Sequence, residues 1–221
     1  RAGDAVLKRP ASDKAVATPS GAGSGATGIE PSKDDGDGWT WFGTLMFYEH
    51  GQTEPSAKIA AFDYDGCLAS TSLFKKGPNA WSILFPGHVE TVLKELAEAG
   101  YKLAIMSNQS SIGKAKASYD KEVAEKKARI AGLARMVDLP CQIFVATDKD
   151  KFRKPDTGMW EFLERHTNGG CKVNRDKSIF VGDACGRPKD HSDSDLKFAE
   201  ALGVKFYNEQ DMFKYKTYQP L

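Results

Sequence analysis

With 221 residues, 40% of them hydrophobic and 10% aromatic, the chain has room for one domain with a sizeable core plus a tail. No apolar run approaches the ~20 residues that span a bilayer, and no N-terminal signal pattern is visible, so no membrane association is expected. A formal net charge of +1 supplies no global attraction for nucleic acid, and any basic footprint has to be local.

Residues 1–38 are rich in Gly, Ala, Ser, Asp and Lys and lack apolar periodicity, which predicts a disordered linker or tail. Within it, Gly23 to Gly28 matches GxGxxG in letters only, because no strand precedes it and no helix follows. The chain starts at Arg1 rather than Met, as expected of a trimmed fragment. Order is expected from Trp39, making 39–221 the folded domain.

Gly43 to His50 reads as a first strand, and Lys58 to Phe62 as a second that is apolar throughout, as for a strand covered on both faces. Pro86 to Ala99 has a helical stripe of Val89, Val92, Leu93 and Leu96, stopped by Gly100. Tyr101 to Met106 is a buried strand. Tyr119 to Val137 is a charged helix with Val123, Ile130 and Leu133 inward and Gly132 as a costly interruption. Strand, helix, strand, helix and strand then follow at Gln142–Ala146, Gly158–His166, Ser178–Val181, Leu196–Leu202 and Val204–Tyr207. Alternation of this kind predicts an α/β fold: a doubly wound, mainly parallel, Rossmann-like sheet with right-handed crossovers.

The polar residues concentrate where these strands stop. Asp63 and Asp65 flank Tyr64 at the end of an apolar strand, and residues two apart in an extended segment share a side. Gly66 allows a sharp turn, which leaves two carboxylates at the strand edge where open α/β sheets take ligands. Their repulsion calls for a cation such as Mg²⁺, although an ordinary acidic turn fits the bare pattern equally well. Three further strand ends add Ser107-Asn108-Gln109, Arg153-Lys154 and Gly182-Asp183. A hydroxyl and amides for phosphate oxygens, a cation, and a third carboxylate together suit phosphoryl transfer.

FDYDG, MSNQ, RKP and VGD, in that order, resemble the four motifs of haloacid dehalogenase phosphohydrolases. The resemblance implies Asp63 as nucleophile forming an aspartyl-phosphate, Asp65 as acid and base, and Ser107 and Lys154 as grips on the phosphoryl oxygens. It also implies Mg²⁺ held by Asp63, Asp65 (through its carbonyl) and Asp183. Cys67 stands where that family usually has Thr. The longer signatures RKPDTGMW and VGDACGRP are similar to the DNA 3′-phosphatase domain of polynucleotide kinase/phosphatases, over roughly Trp39 to Phe213.

That narrower resemblance implies removal of 3′-phosphate from DNA strand-break ends during repair, by an enzyme of the haloacid dehalogenase fold. Asn108, Gln109, Lys114, Lys116, Arg153 and Arg187 become candidate substrate contacts, with Lys75 and Lys76 as equally plausible surface charges. Only a hairpin or loop fits between Asp65 and Pro86, and only a helix and a turn between Lys154 and Asp183. No large cap is therefore expected, and the cleft should admit a polymer end. Asp195, three residues after Ser192, has capping-box spacing and is assigned mainly to a helix end, while the resemblance also implies an acidic residue here that orients the metal acid or Arg187.

The four cysteines are scattered and form no CxxC pair, which suits a reducing compartment. The expected setting is a nuclear, monomeric enzyme with DNA and repair proteins as partners. A phosphatase of small phosphoesters and a catalytically inactive DNA-end binding module are the alternatives. No GxxxxGK[ST] loop occurs, so no kinase site is expected in this chain.

Overall fold

The computed structural model describes residues 30–71, 77–109, 112 and 119–218. In chain order the elements are β1 (Lys33–Asp34), β2 (Trp39–Phe42), β3 (Leu45–His50), β4 (Ile59–Phe62), β5 (Ala69–Thr71) and β6 (Trp81–Ile83). There follow α1 (His88–Glu98), β7 (Lys102–Asn108), α2 (Tyr119–Val137), β8 (Cys141–Ala146) and α3 (Gly158–Phe162), which continues as a π-helical turn, Leu163–Thr167. β9 (Ile179–Gly182), α4 (Ser194–Leu202) and β10 (Lys205–Asn208) follow, and a helical turn, Gln210–Lys214, packs Met212 and Phe213 into the core.

Eight strands form one sheet in the order β1-β2-β3-β8-β7-β4-β9-β10. The strands from β8 to β10 are parallel, and β3, β2 and β1 extend that sheet as an antiparallel meander. The expected doubly wound, mainly parallel α/β architecture is therefore present. β4 lies inside the parallel part, where all four of its residues are buried. Alternation sorts its side chains: Ala60 and Phe62 join the core layer that also holds Val89, Leu93, Ile130 and Leu133. Ile59 and Ala61 face the opposite layer, with Trp160, Phe180, Phe198 and Leu202. Two-sided burial explains why these strands read as continuous apolar runs.

Three features depart from expectation. The tail assignment does not hold for its last residues, because Lys33–Asp34 pairs with Trp41 and Thr40. The physical reason is electrostatic. Lys127 of α2 is buried and takes Asp35 and Asp37 as partners, while Asp35 also accepts from Trp41 Nε1 at 2.6 Å and pairs with Lys33. Residues 1–29, with their GxGxxG letters, lie outside the described residues.

The second departure is β2, whose buried Trp39 and Trp41 alternate with half-buried Thr40 and Phe42. In the third, Gly132 interrupts nothing, and α2 runs through it. A Cβ there would meet the Trp81 ring at 3.1 Å, so the glycine makes room for the β5–β6 hairpin. That hairpin is the only structure the described residues form between Gly66 and α1, in keeping with the absence of a large cap.

Removing one partner of a buried ion pair strands the other charge. Asp35→Ala should lower the unfolding free energy by about 3 kcal/mol in urea melts, the low end of that effect because Asp37 remains beside Lys127.

Candidate active site

β4 ends at Phe62, whose neighbours in register are Ile105 and Val181, and the Asp63 N–H donates to Val181 O at 2.8 Å. The nucleophile candidate is thereby carried out of the sheet on the last hydrogen bond of the β4–β9 ladder. Gly66 then turns the chain with φ +83°, and a Cβ there would stand 2.5 Å from Asp183 Oδ2. Only a bare backbone lets the Asp65–Gly66 turn lie against the Asp183 carboxylate.

Lys154 is the centre of the cluster. Its ammonium is buried and sits 2.6 Å from Asp63 Oδ1 and 2.8 Å from Asp195 Oδ1. Burial alone would discharge it, but Asp195 and Asp63 outweigh that effect and raise its pKa. For Asp63, burial dominates and pushes the pKa up; Lys154 works against the shift, and Asp195 and Asp183 add to it. Asp183 is pushed up to about 6 by burial, then by Asp195.

Asp63, Asp183 and Asp195 offer carboxylate oxygens within 4.8 Å of one another. Three acids against one lysine leave negative charge uncompensated, and an all-oxygen donor set fits a hard divalent cation. The residues that fit such an ion best are Asp63 and Asp183. Asp195 is committed elsewhere: Oδ1 meets Lys154, and Oδ2 accepts the Ala184 N–H at 3.1 Å. Gly182 gives it passage, since a Cβ there would collide with the Asp195 carboxylate.

Asp195 corrects the capping assignment. The residue before α4 is Asp193, Ser192 Oγ turns to Ser194, and Asp195 is buried in the site. The Asp65 carboxylate is not among the converging acids, which is compatible with its expected part as proton donor and with a metal contact through its carbonyl. Thr71 and Gln109 hold that carboxylate instead.

Ser107 and Asn108 are strand rather than loop, and Gln109 follows immediately. The two are the last residues of β7, paired with Val145 and Ala146. Ser107 is buried, and its Oγ accepts from Gln109 Nε2 at 2.9 Å. Asn108 spends both ends of its amide on Lys154: Nδ2 donates to the Lys154 carbonyl at 3.0 Å and Oδ1 accepts the Lys154 N–H at 2.9 Å. It therefore anchors the lysine loop, and the Gln109 amide nitrogen anchors Asp65.

Arg187 departs further from its expected part. Its guanidinium pairs with Asp190 at 2.9 Å and Glu209 at 3.0 Å, and donates to the Asp183 carbonyl at 3.0 Å. Hydrogen bonds to Asp190 and then to Glu209 raise its pKa. Saturated in this way, it braces the loop bearing Asp183 rather than reaching out for phosphate. Arg153 precedes Lys154 in the chain and keeps a buried Nη1 with no hydrogen-bond partner, so the atom is shielded from solvent rather than presented to it. Lys75, Lys76, Lys114 and Lys116 lie outside the described residues. Cys67 is buried with its Sγ 3.5 Å from Val181 O, a weak bond behind the nucleophile.

Sequence reasoning missed Asp195 as Lys154's second partner, Asn108 as its anchor and Thr71 beside Asp65. The signal for Asp195 was its place after the VGD strand, which the capping spacing masked.

Comparison with known proteins agrees with this geometry. Residues 58–213 match the family described as Polynucleotide kinase 3 phosphatase. The chain is 41% identical over 186 residues to the polynucleotide 3′-phosphatase ZDP of Arabidopsis thaliana, covering 79% of this chain and 27% of that protein. It is 36% identical to a bifunctional polynucleotide phosphatase/kinase of Schizosaccharomyces pombe, covering 82% of this chain and 44% of the relative. The chain thus spans less than half the length of either relative. Among solved structures, a phosphatase of haloacid dehalogenase type from Mesorhizobium loti superposes with a TM-score of 0.57 at 16% identity, over 73% of this chain and 77% of that one. D,D-heptose 1,7-bisphosphate phosphatase from B. bronchiseptica, complexed with magnesium and phosphate, has a TM-score of 0.50 at 21% identity, over 72% and 86% of the two chains. With its fold shared with these phosphatases and its match running from β4 past β10, the chain belongs to the polynucleotide kinase 3′-phosphatase family.

Proposed function

We propose that the chain is a Mg²⁺-dependent phosphomonoesterase that removes 3′-phosphate from DNA strand-break ends through an aspartyl-phosphate on Asp63. The observation that carries this reading is the buried Lys154, held between Asp63 and Asp195 at a strand end also reached by Ser107 and Asp183. The polynucleotide phosphatases among the relatives support the substrate class. When bound between Asp63 and Asp183, the cation supplies positive charge for the phosphoryl oxygens.

In the first half of the reaction, an Asp63 carboxylate oxygen attacks phosphorus. The bond from phosphorus to the 3′ oxygen breaks, and Asp65 gives that oxygen a proton. In the second half, Asp65 takes a proton from water as the water attacks the acyl phosphate, which frees Asp63 and releases inorganic phosphate. Lys154 offsets the charge that builds on the phosphoryl oxygens, and its burial makes that contribution large. Ser107 offers its hydroxyl to the same oxygens. Arg153, a half-buried cation next to Lys154 in the chain, is the described candidate for a DNA phosphate, and Lys114 and Lys116 extend that contact. A monomer in the nucleus, acting beside repair proteins, completes the reading. The free thiols of Cys67, Cys141, Cys171 and Cys185 fit such a reducing compartment, and no described helix is long and apolar enough to cross a membrane.

Asp63→Asn should cut phosphate release from a 3′-phosphorylated deoxyoligonucleotide by at least about 10³-fold in single-turnover assays; turnover equal to wild type would refute the nucleophile. The wild type should prefer that oligomer to sugar phosphates and mononucleotides, and the reverse order would favour a small-molecule phosphatase. DNA binding with no release in Mg²⁺ would favour the binding module.

Lys114→Ala with Lys116→Ala should raise KM for the oligomer and flatten its dependence on salt while sparing an aryl phosphate. Loss of both activities in parallel would assign the pair to folding. Protons compete with the cation for carboxylates. With the Asp183 carboxyl lifted to about 6, apparent Mg²⁺ affinity measured by calorimetry should fall about tenfold between pH 7 and pH 5. A pH-independent affinity would remove Asp183 from the cation site.

A further inference from the structure

Asp65 sits in the turn between β4 and β5, where an isolated bridge to Ala69 begins the hairpin. Its carboxylate is framed by donors from two separate elements. Thr71 Oγ1, on β5, donates to Oδ1 at 2.5 Å, and Gln109 Nε2, just past β7, donates to Oδ2. Rotation of so short a side chain would break both bonds at once. The two donors are fixed by different means. Gln109 is buried, shares its amide with Ser107 Oγ, and gives its N–H to Ala146 O at 2.8 Å.

Thr71 depends on the hairpin. It pairs across the ladder with Trp81, whose ring rests on Gly132 of α2. Further along the hairpin, the Gly77 N–H donates to Glu125 Oε2 at 2.9 Å, and Arg129 Nε donates to Gly77 O at 2.8 Å. Arg129 and Glu125 pair with each other at 3.2 Å, one helical turn apart. The hairpin is therefore moored to α2 through both Gly77 and Trp81, and Thr71 is carried on a braced element.

We infer that Thr71 is the positioning residue for proton transfer by Asp65, and that the moored hairpin exists to hold it there. The inference rests on the reading of Asp65 as the acid in the reaction above. A hydroxyl both donates and accepts, so Thr71 keeps its bond whether the carboxyl holds the proton or has given it up. An apolar residue of the same shape would leave Asp65 tethered on one side only. Angular error in a proton donor penalises departure of a poor leaving group more than that of a good one.

The test compares kcat/KM, which reports the steps up to transfer onto Asp63, for three phosphate esters. A 3′-phosphorylated deoxyoligonucleotide and thymidine 3′-monophosphate release an alkoxide that needs a proton; 4-nitrophenyl phosphate releases a phenolate that does not. Thr71→Val should lower kcat/KM for both alkyl esters by about 10- to 100-fold while leaving the aryl ester within about threefold. Thr71→Ser, which keeps the hydroxyl, should restore both alkyl esters and leave the aryl ester near wild type. An equal fall on all three esters assigns Thr71 to folding and overturns the inference, as does no fall on any. A fall confined to the oligonucleotide makes Thr71 a polymer contact and also overturns it. Asp65→Asn measured beside these variants separates the two readings. If it spares the alkyl esters, the acid assignment itself fails; if it is slow while Thr71→Val is normal, only the positioning role fails.

Discussion

The arrangement depends on one buried ammonium. Lys154 is held in the interior with Asp63 and Asp195 at 2.6 and 2.8 Å, and all three pay a desolvation cost that their mutual attraction has to offset. Such a cluster adds little to stability beyond what a well-packed apolar core would give, but it fixes where charge resides. Asp63 cannot turn away from Lys154 without stranding a charge, and Lys154 cannot swing out because Asn108 grips its backbone from both sides. The nucleophile candidate and its counter-charge are thus aligned before any substrate arrives. Preorganisation of this kind avoids reorganisation at the moment of reaction.

Around that centre the sheet delivers one group per strand end. β4 brings Asp63, β7 brings Ser107 and Asn108, the loop after β8 brings Lys154, and β9 leads into Asp183. Parallel strands that stop at the same level make this convergence a property of the topology, which is why open α/β sheets bind at their carboxyl edge. The supporting contacts come from farther away. Arg187 ties the Asp183 carbonyl to Asp190 and Glu209, and α4 contributes Asp195 from its first turn.

Much of this was legible beforehand, for definite reasons. Burial on both faces leaves an uninterrupted apolar run, so β4, β7, β8 and β9 announced themselves, and the bounds of α2 follow from its charged amphipathic pattern. The four strand-end motifs identified Asp63, Ser107, Lys154 and Asp183 because their order and spacing are local properties of the chain. What escaped were pairings between distant residues. Asp195 lies 41 positions from Lys154, and its neighbour at Ser192 offered a plausible local explanation. Arg187 read as a free loop cation because nothing near it in the chain announces Glu209. Gly132 read as a flaw in a helix because the ring it accommodates comes from Trp81, far upstream.

The short strand β1 has a consequence for how copies of this domain meet one another. A sheet edge is a row of unpaired donors and acceptors, ready to recruit another chain. Here the flank beyond β2 is closed by a strand of only two residues, Lys33–Asp34, both exposed and oppositely charged. The other flank, β10, is four residues long and opens on an exposed lysine. Among the described residues both edges are short and each carries an exposed charge, features that disfavour an intermolecular ladder. Beneath β1 lies Trp39-Thr40-Trp41-Phe42, a stretch of aromatic and β-branched residues suited to such a ladder. The salt bridge from Asp35 to Lys127 thus fastens, beside β1, the short charged segment that covers this aromatic strand.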